Sequence, residues 1–334
     1  MTHIDSFLQK AFASLRSGII LPLNHIGFFL VKAAKAHSYV ETLGEHADAL
    51  HLWIKGSYEE DLQRAFEQQV RKALKHLGVS YAKLAFDITS EPFYGKTRGL
   101  HIFNVKGESY QSEFKFITVC LITKNKQIPL MALPVRIGEG GGTKLAIELL
   151  EYCQCLFRGI RLALFDRGFY SAELIDYLEA RHIRYLILVP EKKGRISEYV
   201  AQTAELGHYR HQLYYAKKKS KWKPKTMIVV CKGIDDFEWI FATNIRFKTR
   251  CEYIWHYKRR WQIETNFRVE DEARVKSKSS RYLIRYFYFL VSLLLHLLWI
   301  VHKNIHAYSP FKKYLDTIEQ ALFRQYLEIY WVTK

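Results

Sequence analysis

The segment Tyr257-Lys-Arg-Arg260-Trp-Gln-Ile-Glu264-Thr-Asn-Phe-Arg268 places one carboxylate in a strongly basic, aromatic stretch of the chain. On a helix of 3.6 residues per turn, the four numbered residues fall on one stripe. Such a helix can be an exposed ladder of salt bridges, or it can carry an acid that performs chemistry. Other segments must decide between these two interpretations.

Two apolar runs elsewhere each end on an aspartate, Leu84-Ala-Phe-Asp87 and Leu162-Ala-Leu-Phe-Asp166. An aspartate after a strand is by itself often a turn residue or a helix cap. Two strand-end aspartates and one helical glutamate, however, are the donor set of a phosphoryl-transfer site with two divalent ions about 4 Å apart. Hard oxygen donors suit Mg²⁺ or Mn²⁺. We predict that Asp87 bridges both ions, that Asp166 holds one, and that Glu264 holds the other.

The charge balance points to a polyanionic partner. The chain of 334 residues has 51 Lys and Arg against 33 Asp and Glu, a net charge of +18. Basic and aromatic residues alternate in Tyr209-Arg210-His211 and Lys221-Trp222-Lys223. This combination suits contact with a phosphate backbone and stacking on bases, so it favours nucleic acid over an anionic membrane surface.

Cysteine usage and the N-terminus predict a cytoplasmic protein that associates with the nucleoid. The five cysteines include no CxxC pair, which indicates reduced thiols and no zinc site. The N-terminus lacks the pattern of a secretory signal. Residues 286–301 are uncharged and could pass for a membrane span, but they are shorter than the usual 20 or so residues. We interpret them as a buried core helix.

Hydrophobic periodicity divides the chain into four parts. These are a helical N-terminal region at 1–78, a catalytic core at 79–190 and 250–304, a β-rich insertion at 191–249, and a C-terminal helical tail at 305–334. The N-terminal region is predicted to bind DNA, to contact a second copy, or to cap the core. Three strands followed by alternating helices and strands predict an α/β core, a mixed sheet flanked by helices.

Within the core, strands are predicted over 83–89, 114–123, 127–137, 160–165 and 184–189, and helices over 143–157 and 171–181. Pro92 and Gly95 predict a loop after the first strand, and Thr143 is expected to cap a helix. The glycine run at 138–142 matches no phosphate-binding motif, so a flexible connection is the better interpretation.

Three blocks make the chain resemble a DDE transposase of the insertion-sequence type, with a ribonuclease-H-like catalytic core. They are Phe86-Asp87-Ile-Thr89 followed by Tyr94-Gly95-Lys96, then Asp166-Arg167-Gly168-Phe169-Tyr170-Ser171, and the Tyr257-x2-Arg260-x3-Glu264 signature of one large subgroup. The resemblance covers about residues 80–302. The subgroup signature usually ends in lysine seven residues after the glutamate, where this chain has Asp271.

The resemblance implies an enzyme that uses two Mg²⁺ or Mn²⁺ ions to cut DNA at transposon terminal inverted repeats and to join the freed 3′-hydroxyl to target DNA. It also implies a homodimer in the synaptic complex. A nuclease or resolvase that cuts without joining, and a non-catalytic DNA-binding remnant, are the alternatives.

The resemblance further implies specific DNA contacts. Tyr257 and Arg260 are expected near the scissile phosphate, with packing and pairing on the glutamate helix as their alternative role. Trp222 in the insertion is expected to stack on a flipped base, whereas Trp239 is expected in the core. The predicted DNA-binding residues are Tyr257, Arg260, Arg268, Lys96, Arg167 and Trp222.

Overall fold

The structure is a computed structural model that describes residues 3–11, 23–123, 127–138, 142–190, 194–213, 223–271, 274–305 and 310–332. The helices are α1 (His3–Ala11), α2 (Leu23–Lys35), α3 (Glu45–Gly56), α4 (Glu59–Leu77), α5 (Thr143–Leu156), α6 (Ala172–Ala180), α7 (Arg195–Gln202), α8 (Arg250–Asp271), α9 (Tyr282–Ile305) and α10 (Phe311–Val332). The strands are β1 (Tyr81–Phe93), β2 (Phe103–Asn104), β3 (Ser112–Ile122), β4 (Gln127–Pro134), β5 (Gly159–Phe165), β6 (Tyr185–Leu188), β7 (Leu206–Gln212), β8 (Lys225–Ile234) and β9 (Phe237–Thr243).

All these strands belong to one sheet, in the order β2-β3-β1-β5-β6-β9-β8-β7, with β4 also paired to β3. β1 pairs antiparallel with β3 and parallel with β5, and β5 pairs parallel with β6. The remaining pairs from β6 to β7 are antiparallel. The predicted α/β fold, a mixed sheet flanked by helices with a helical N-terminal region, is confirmed.

Strand β1 is longer than predicted. It continues through Pro92, which pairs with Glu113 of β3, so the expected loop at Pro92 is wrong. Proline is tolerated here because the pairing with β5 ends at Phe86, which leaves β1 with one neighbouring strand beyond that point. As a result, β1 extends well past Asp87 as an ordered strand.

The connection into α5 needs a glycine. Gly142 has φ of +86°, and a Cβ atom at this position would meet the side chain of Ile117. The predicted capping role of Thr143 is wrong, because α5 begins at Thr143 without a side-chain cap. Its hydroxyl instead lies 3.0 Å from that of Ser171, which caps α6 by accepting from the Leu174 amide.

The predicted β-rich insertion contributes strands β7, β8 and β9. They continue the central sheet, because Leu186 of β6 pairs with Thr243 of β9. The region therefore widens the sheet on the side where α8 begins.

In the N-terminal region, α4 forms as its sequence predicts. Acidic residues occupy its first turn, and Gly78 ends it in the left-handed conformation. Its apolar stripe, which includes Leu62, Phe66 and Val70, is fully buried. Burial of this stripe attaches the helical region to the core.

The long apolar helix α9 is a core helix, as predicted. Residues 282–303 have the length and hydropathy of a membrane span, but most of this segment is buried inside the protein. Phe116 of β3 stacks on Phe289, and the Tyr286 hydroxyl donates to the Ala132 carbonyl. The apolar surface of α9 therefore packs against the sheet.

Candidate active site

The parallel pairing of β1 and β5 brings the two predicted aspartates together. Phe86 is the register partner of Phe165, and the two rings stack with centroids 4.4 Å apart. Asp87 follows Phe86 within β1, and Asp166 follows Phe165 directly after β5 ends. Because parallel strands keep the same direction, the two aspartates lie side by side.

Helix α8 is held over these aspartates by two buried tyrosines. Tyr253 donates its hydroxyl hydrogen to the Ile245 carbonyl and accepts from the Phe247 amide. Tyr257 is fully buried against the rings of Trp239 and Phe241. These contacts fix the rotation of the helix about its axis.

A second attachment joins α8 to strands β3 and β4. The Arg259 guanidinium donates to the Thr123 carbonyl at 2.7 Å, and the Gln127 side-chain amide donates to the Arg259 carbonyl at 2.7 Å. Backbone and side chain of one helical residue are therefore both bonded to the sheet, which limits sliding of α8.

Arg260 and Tyr257 bind the two aspartates directly. Arg260 Nη1 lies 3.3 Å from Asp87 Oδ1, and Arg260 Nη2 lies 3.8 Å from Asp166 Oδ1. The Tyr257 hydroxyl donates to Asp166 Oδ1 and accepts from Arg260 Nε, each at 3.2 Å. Arg260 is only 3% exposed, so this cation is held close to both carboxylates in a region of weak solvent screening.

Burial and the neighbouring charges fix the protonation states of this pair. Burial raises the pKa of the Tyr257 hydroxyl, Arg260 opposes the increase, and Asp166 adds to it, so the hydroxyl keeps its proton. Burial lowers the pKa of Arg260, but Tyr257, Asp87 and Asp166 outweigh burial and raise it overall. Tyr257 therefore remains a hydrogen-bond donor and Arg260 remains a cation.

The two aspartates fit a divalent cation. Both turn an oxygen toward one positive group, the Arg260 guanidinium, and carboxylate oxygens are the donors that Mg²⁺ and Mn²⁺ prefer. The side chains of Asp87 and Asp166 remain 18% and 35% exposed, so the site is open to a ligand. Among the described side chains no third acid, histidine or cysteine joins them.

The other predicted site residues fall into two groups. Glu264 and Arg268 belong to α8, one and two turns beyond Arg260, but their side chains lie outside the described part of the structure, as does Trp222. Lys96 and Arg167 are exposed, and Arg167 directly follows Asp166. Their DNA contacts remain predictions, as do those of Tyr257 and Arg260. Trp239 is buried, as expected of a core residue.

Two features were not predicted from the sequence: Arg259, which anchors α8, and the buried ion pair of Glu91 with Arg285. Glu91 lies on β1 four residues after Asp87, so the same strand carries both acids. The alternating pattern of β1 was a usable signal for Glu91, because residues 87, 89, 91 and 93 share one face.

Replacing Tyr257 by phenylalanine is expected to lower the free energy of unfolding by about 1–3 kcal/mol, since Arg260 Nε loses its acceptor inside the protein. Denaturant titration measures the change. Tyr58→Phe is the matched control, because Tyr58 is well exposed. Equal stability of the two variants would show that the buried hydroxyl does not hold the site together.

The chain is similar to known proteins in sequence and in fold. The family model described as the transposase DDE domain matches residues 97–299, which contain Asp166 and Glu264 and begin ten residues after Asp87. A cryo-EM structure of the piggyBac transposase synaptic complex with hairpin DNA has a similar fold, with a TM-score of 0.61 at 12% identity. The similarity covers 98% of this chain and 80% of that one. No curated protein matches the sequence.

Proposed function

Because the chain belongs to the transposase DDE domain family, we propose that Asp87, Asp166 and Glu264 form the catalytic centre of this transposase. Membership of this family implies dependence on a divalent metal. More specifically, the proposal is that two Mg²⁺ or Mn²⁺ ions bind the three carboxylates. The observation that supports the pairing of two of these carboxylates is the parallel register of β1 and β5, which sets Asp87 beside Asp166. The family match does not reach Asp87, so this pairing supports its assignment independently.

Divalent ions bound at such carboxylates activate the attacking oxygen and stabilise the leaving oxygen of a phosphodiester. The contribution of the chain is positioning. Tyr257 orients Asp166 through its hydroxyl, and Arg260 offsets the repulsion between Asp87 and Asp166. Without this cation, the two neighbouring carboxylates would repel each other, and the repulsion would favour protonation of one of them.

The proposed substrate is double-stranded DNA that carries the terminal inverted repeats of a transposon, with a second duplex as the target. The net charge of +18 supports a DNA partner, because phosphate contacts dominate such binding. We further propose a homodimer in the synaptic complex and a cytoplasmic, nucleoid-associated location. The N-terminal helical region, 1–78, is proposed to bind DNA or to contact the second copy.

The test uses a labelled duplex containing the DNA ends that flank this reading frame, a target plasmid, and the purified chain with Mg²⁺ or with EDTA. The proposal predicts strand breaks at the repeat ends and joined products, both only with Mg²⁺. Breaks without joined products would favour the nuclease alternative. Absence of breaks at any DNA end would contradict the proposal.

A further inference from the structure

A basic cleft lies at the start of β1, where α8 crosses the sheet. Its volume is about 650 Å³, and its charged and aromatic lining comes from Tyr81 and Lys83 of β1, Arg161 of β5, and Trp255 and Arg259 of α8. We name it the β1 cleft. Three of these five side chains are cations, and no described acidic residue lines the cleft.

The cations are held together against their mutual repulsion. Burial lowers the pKa of Lys83, and the charges of Arg259 and Arg161 lower it further. A protein gains nothing in stability from this grouping, because like charges oppose one another without a counter-ion. An anionic ligand in the β1 cleft would remove the repulsion.

Arg161 reaches the β1 cleft through an irregularity of the sheet. The register partner of Ala82 is Ile160, whereas that of Lys83 is Leu162, so Arg161 is an extra residue on β5. A bulge of this kind redirects a side chain. The Arg161 guanidinium lies 4.5 Å from the centroid of the Tyr81 ring. The strand distortion therefore places a cation against an exposed aromatic ring.

Trp255 provides a stacking surface. It is 58% exposed, although tryptophan is usually well buried in proteins. The Arg259 guanidinium lies 5.2 Å from its ring and is fixed by the Thr123 carbonyl. A held cation beside an exposed indole suits a nucleic acid strand, in which phosphates and base faces alternate. It suits an acidic peptide less well, since a peptide does not present a planar ring beside every negative charge.

The β1 cleft and Asp87 lie along the same strand. Lys83 precedes Asp87 by four residues, so both lie on one face of β1, about 13 Å apart at the usual strand rise. Ala85, between them, is fully buried in one apolar cluster with Tyr257 of α8. A DNA strand that contacts both places must therefore pass around α8.

Building on the proposed function, we propose that the β1 cleft binds a strand of the substrate DNA and stacks one unpaired base on Trp255. Lys83, Arg161 and Arg259 contact its phosphates. This surface adds a specific strand contact to the general attraction of a basic protein for DNA.

The test measures binding in EDTA by fluorescence anisotropy, with a duplex that ends in six unpaired thymidines and a second in which the six nucleotides are abasic. We expect Trp255→Ala to weaken binding of the thymidine probe by about 5- to 100-fold and to change binding of the abasic probe far less. Trp255→Tyr should retain most of the affinity. Phe323→Ala, at an exposed aromatic residue of α10, is the control.

A second variant tests the phosphate contacts. Arg161→Ala should reduce the slope of log affinity against log salt by about 0.7–0.9 with either probe. Arg181→Ala removes an exposed arginine at the end of α6, outside the N-terminal region, and should leave the slope unchanged. Circular dichroism confirms that each variant is folded.

Equal affinity of wild type and Trp255→Ala for the thymidine probe would overturn the stacking proposal, and so would an equal loss with both probes. An unchanged salt slope for Arg161→Ala would overturn the phosphate contacts. If these results occur while wild type still cuts transposon ends, the β1 cleft proposal alone fails. If wild type neither binds nor cuts DNA, both proposals fail.

Discussion

Replacing Asp166 or Asp87 by asparagine is expected to reduce DNA cleavage by about a thousandfold or more. Each change removes a charged oxygen donor from the pair that β1 and β5 align. Metal ions supply several kcal/mol of transition-state stabilisation, and each 1.36 kcal/mol is a factor of ten in rate. DNA binding in EDTA should persist, because loss of a carboxylate makes the protein more positive. Cleavage on denaturing gels and anisotropy measure the two properties.

The matched control is Asp236→Asn. Asp236 is exposed in a turn with φ of +49°, a conformation that asparagine also adopts readily. This variant should cut DNA at the wild-type rate. Retention of activity by Asp166→Asn or Asp87→Asn would remove that residue from the catalytic centre.

Breaking the buried ion pair between Arg285 and Glu91 is expected to have the largest effect on stability. Arg285 Nη1 donates to Glu91 Oε1 at 2.8 Å, and Nε donates to the Ser279 carbonyl at 2.7 Å. The guanidinium also lies over the rings of Phe93 and Phe114. Arg285→Met leaves a buried carboxylate without its cation, so we expect a loss of about 3–5 kcal/mol in the free energy of unfolding. Denaturant titration measures it.

Two further variants isolate the cause. Glu91→Leu combined with Arg285→Met removes both charges and should restore most of the loss. Arg64→Met breaks an exposed pair with Asp61, in which the arginine is 69% exposed, and should cost less than about 1 kcal/mol. If the double variant were as unstable as Arg285→Met, lost packing and not a stranded charge would be the cause.

The Arg285→Met deficit should also depend on pH. Burial raises the pKa of Glu91, and Arg285 and Arg274 oppose this increase in the wild type. Without Arg285, the pKa of Glu91 in the folded state rises further above its value in the unfolded chain. The folded state then binds more protons than the unfolded state, so stability falls as pH rises from the unfolded pKa toward the raised one. The deficit should therefore be smaller at pH 5 than at pH 8.

The two strands that carry Asp87 and Asp166 could be predicted from the sequence, because apolar runs are local signals. Asp166 follows the end of its strand as predicted, but Asp87 lies within β1 and not at its end, so that part of the prediction is wrong. Strand β7 was not predicted, because it lacks such a local signal. Its sequence, Leu-Gly-His-Tyr-Arg-His-Gln, is polar, and it lies at the edge of the sheet, where no buried face imposes apolar alternation. Pro92 was predicted to lie in a loop. Proline is tolerated in β1 at this position because the pairing with β5 has already ended, which the local sequence does not reveal.

The spacing of Tyr257 and Arg260 predicted a shared stripe, but not that this stripe would be buried. A net charge of +18 suggests exposed cations, whereas Arg260 lies beneath α8 against two acids from strands β1 and β5. Trp255 is the opposite case: it is an aromatic residue that is exposed. Nothing in the local sequence distinguishes it from the buried Tyr257 two positions later. Both outcomes depend on which face of α8 meets the sheet, a tertiary property that sequence periodicity leaves open.

The most direct test of the central claim, that Asp87 and Asp166 jointly bind the divalent metal, is a Mn²⁺ titration followed by electron paramagnetic resonance of the free ion. It is performed on wild type, Asp87→Asn, Asp166→Asn and the control Asp236→Asn. We predict that wild type and Asp236→Asn bind Mn²⁺ alike. We predict that each of the other two variants binds it at least about tenfold more weakly, since even outer-shell changes cost that much. Equal Mn²⁺ affinity in all four proteins would contradict the claim.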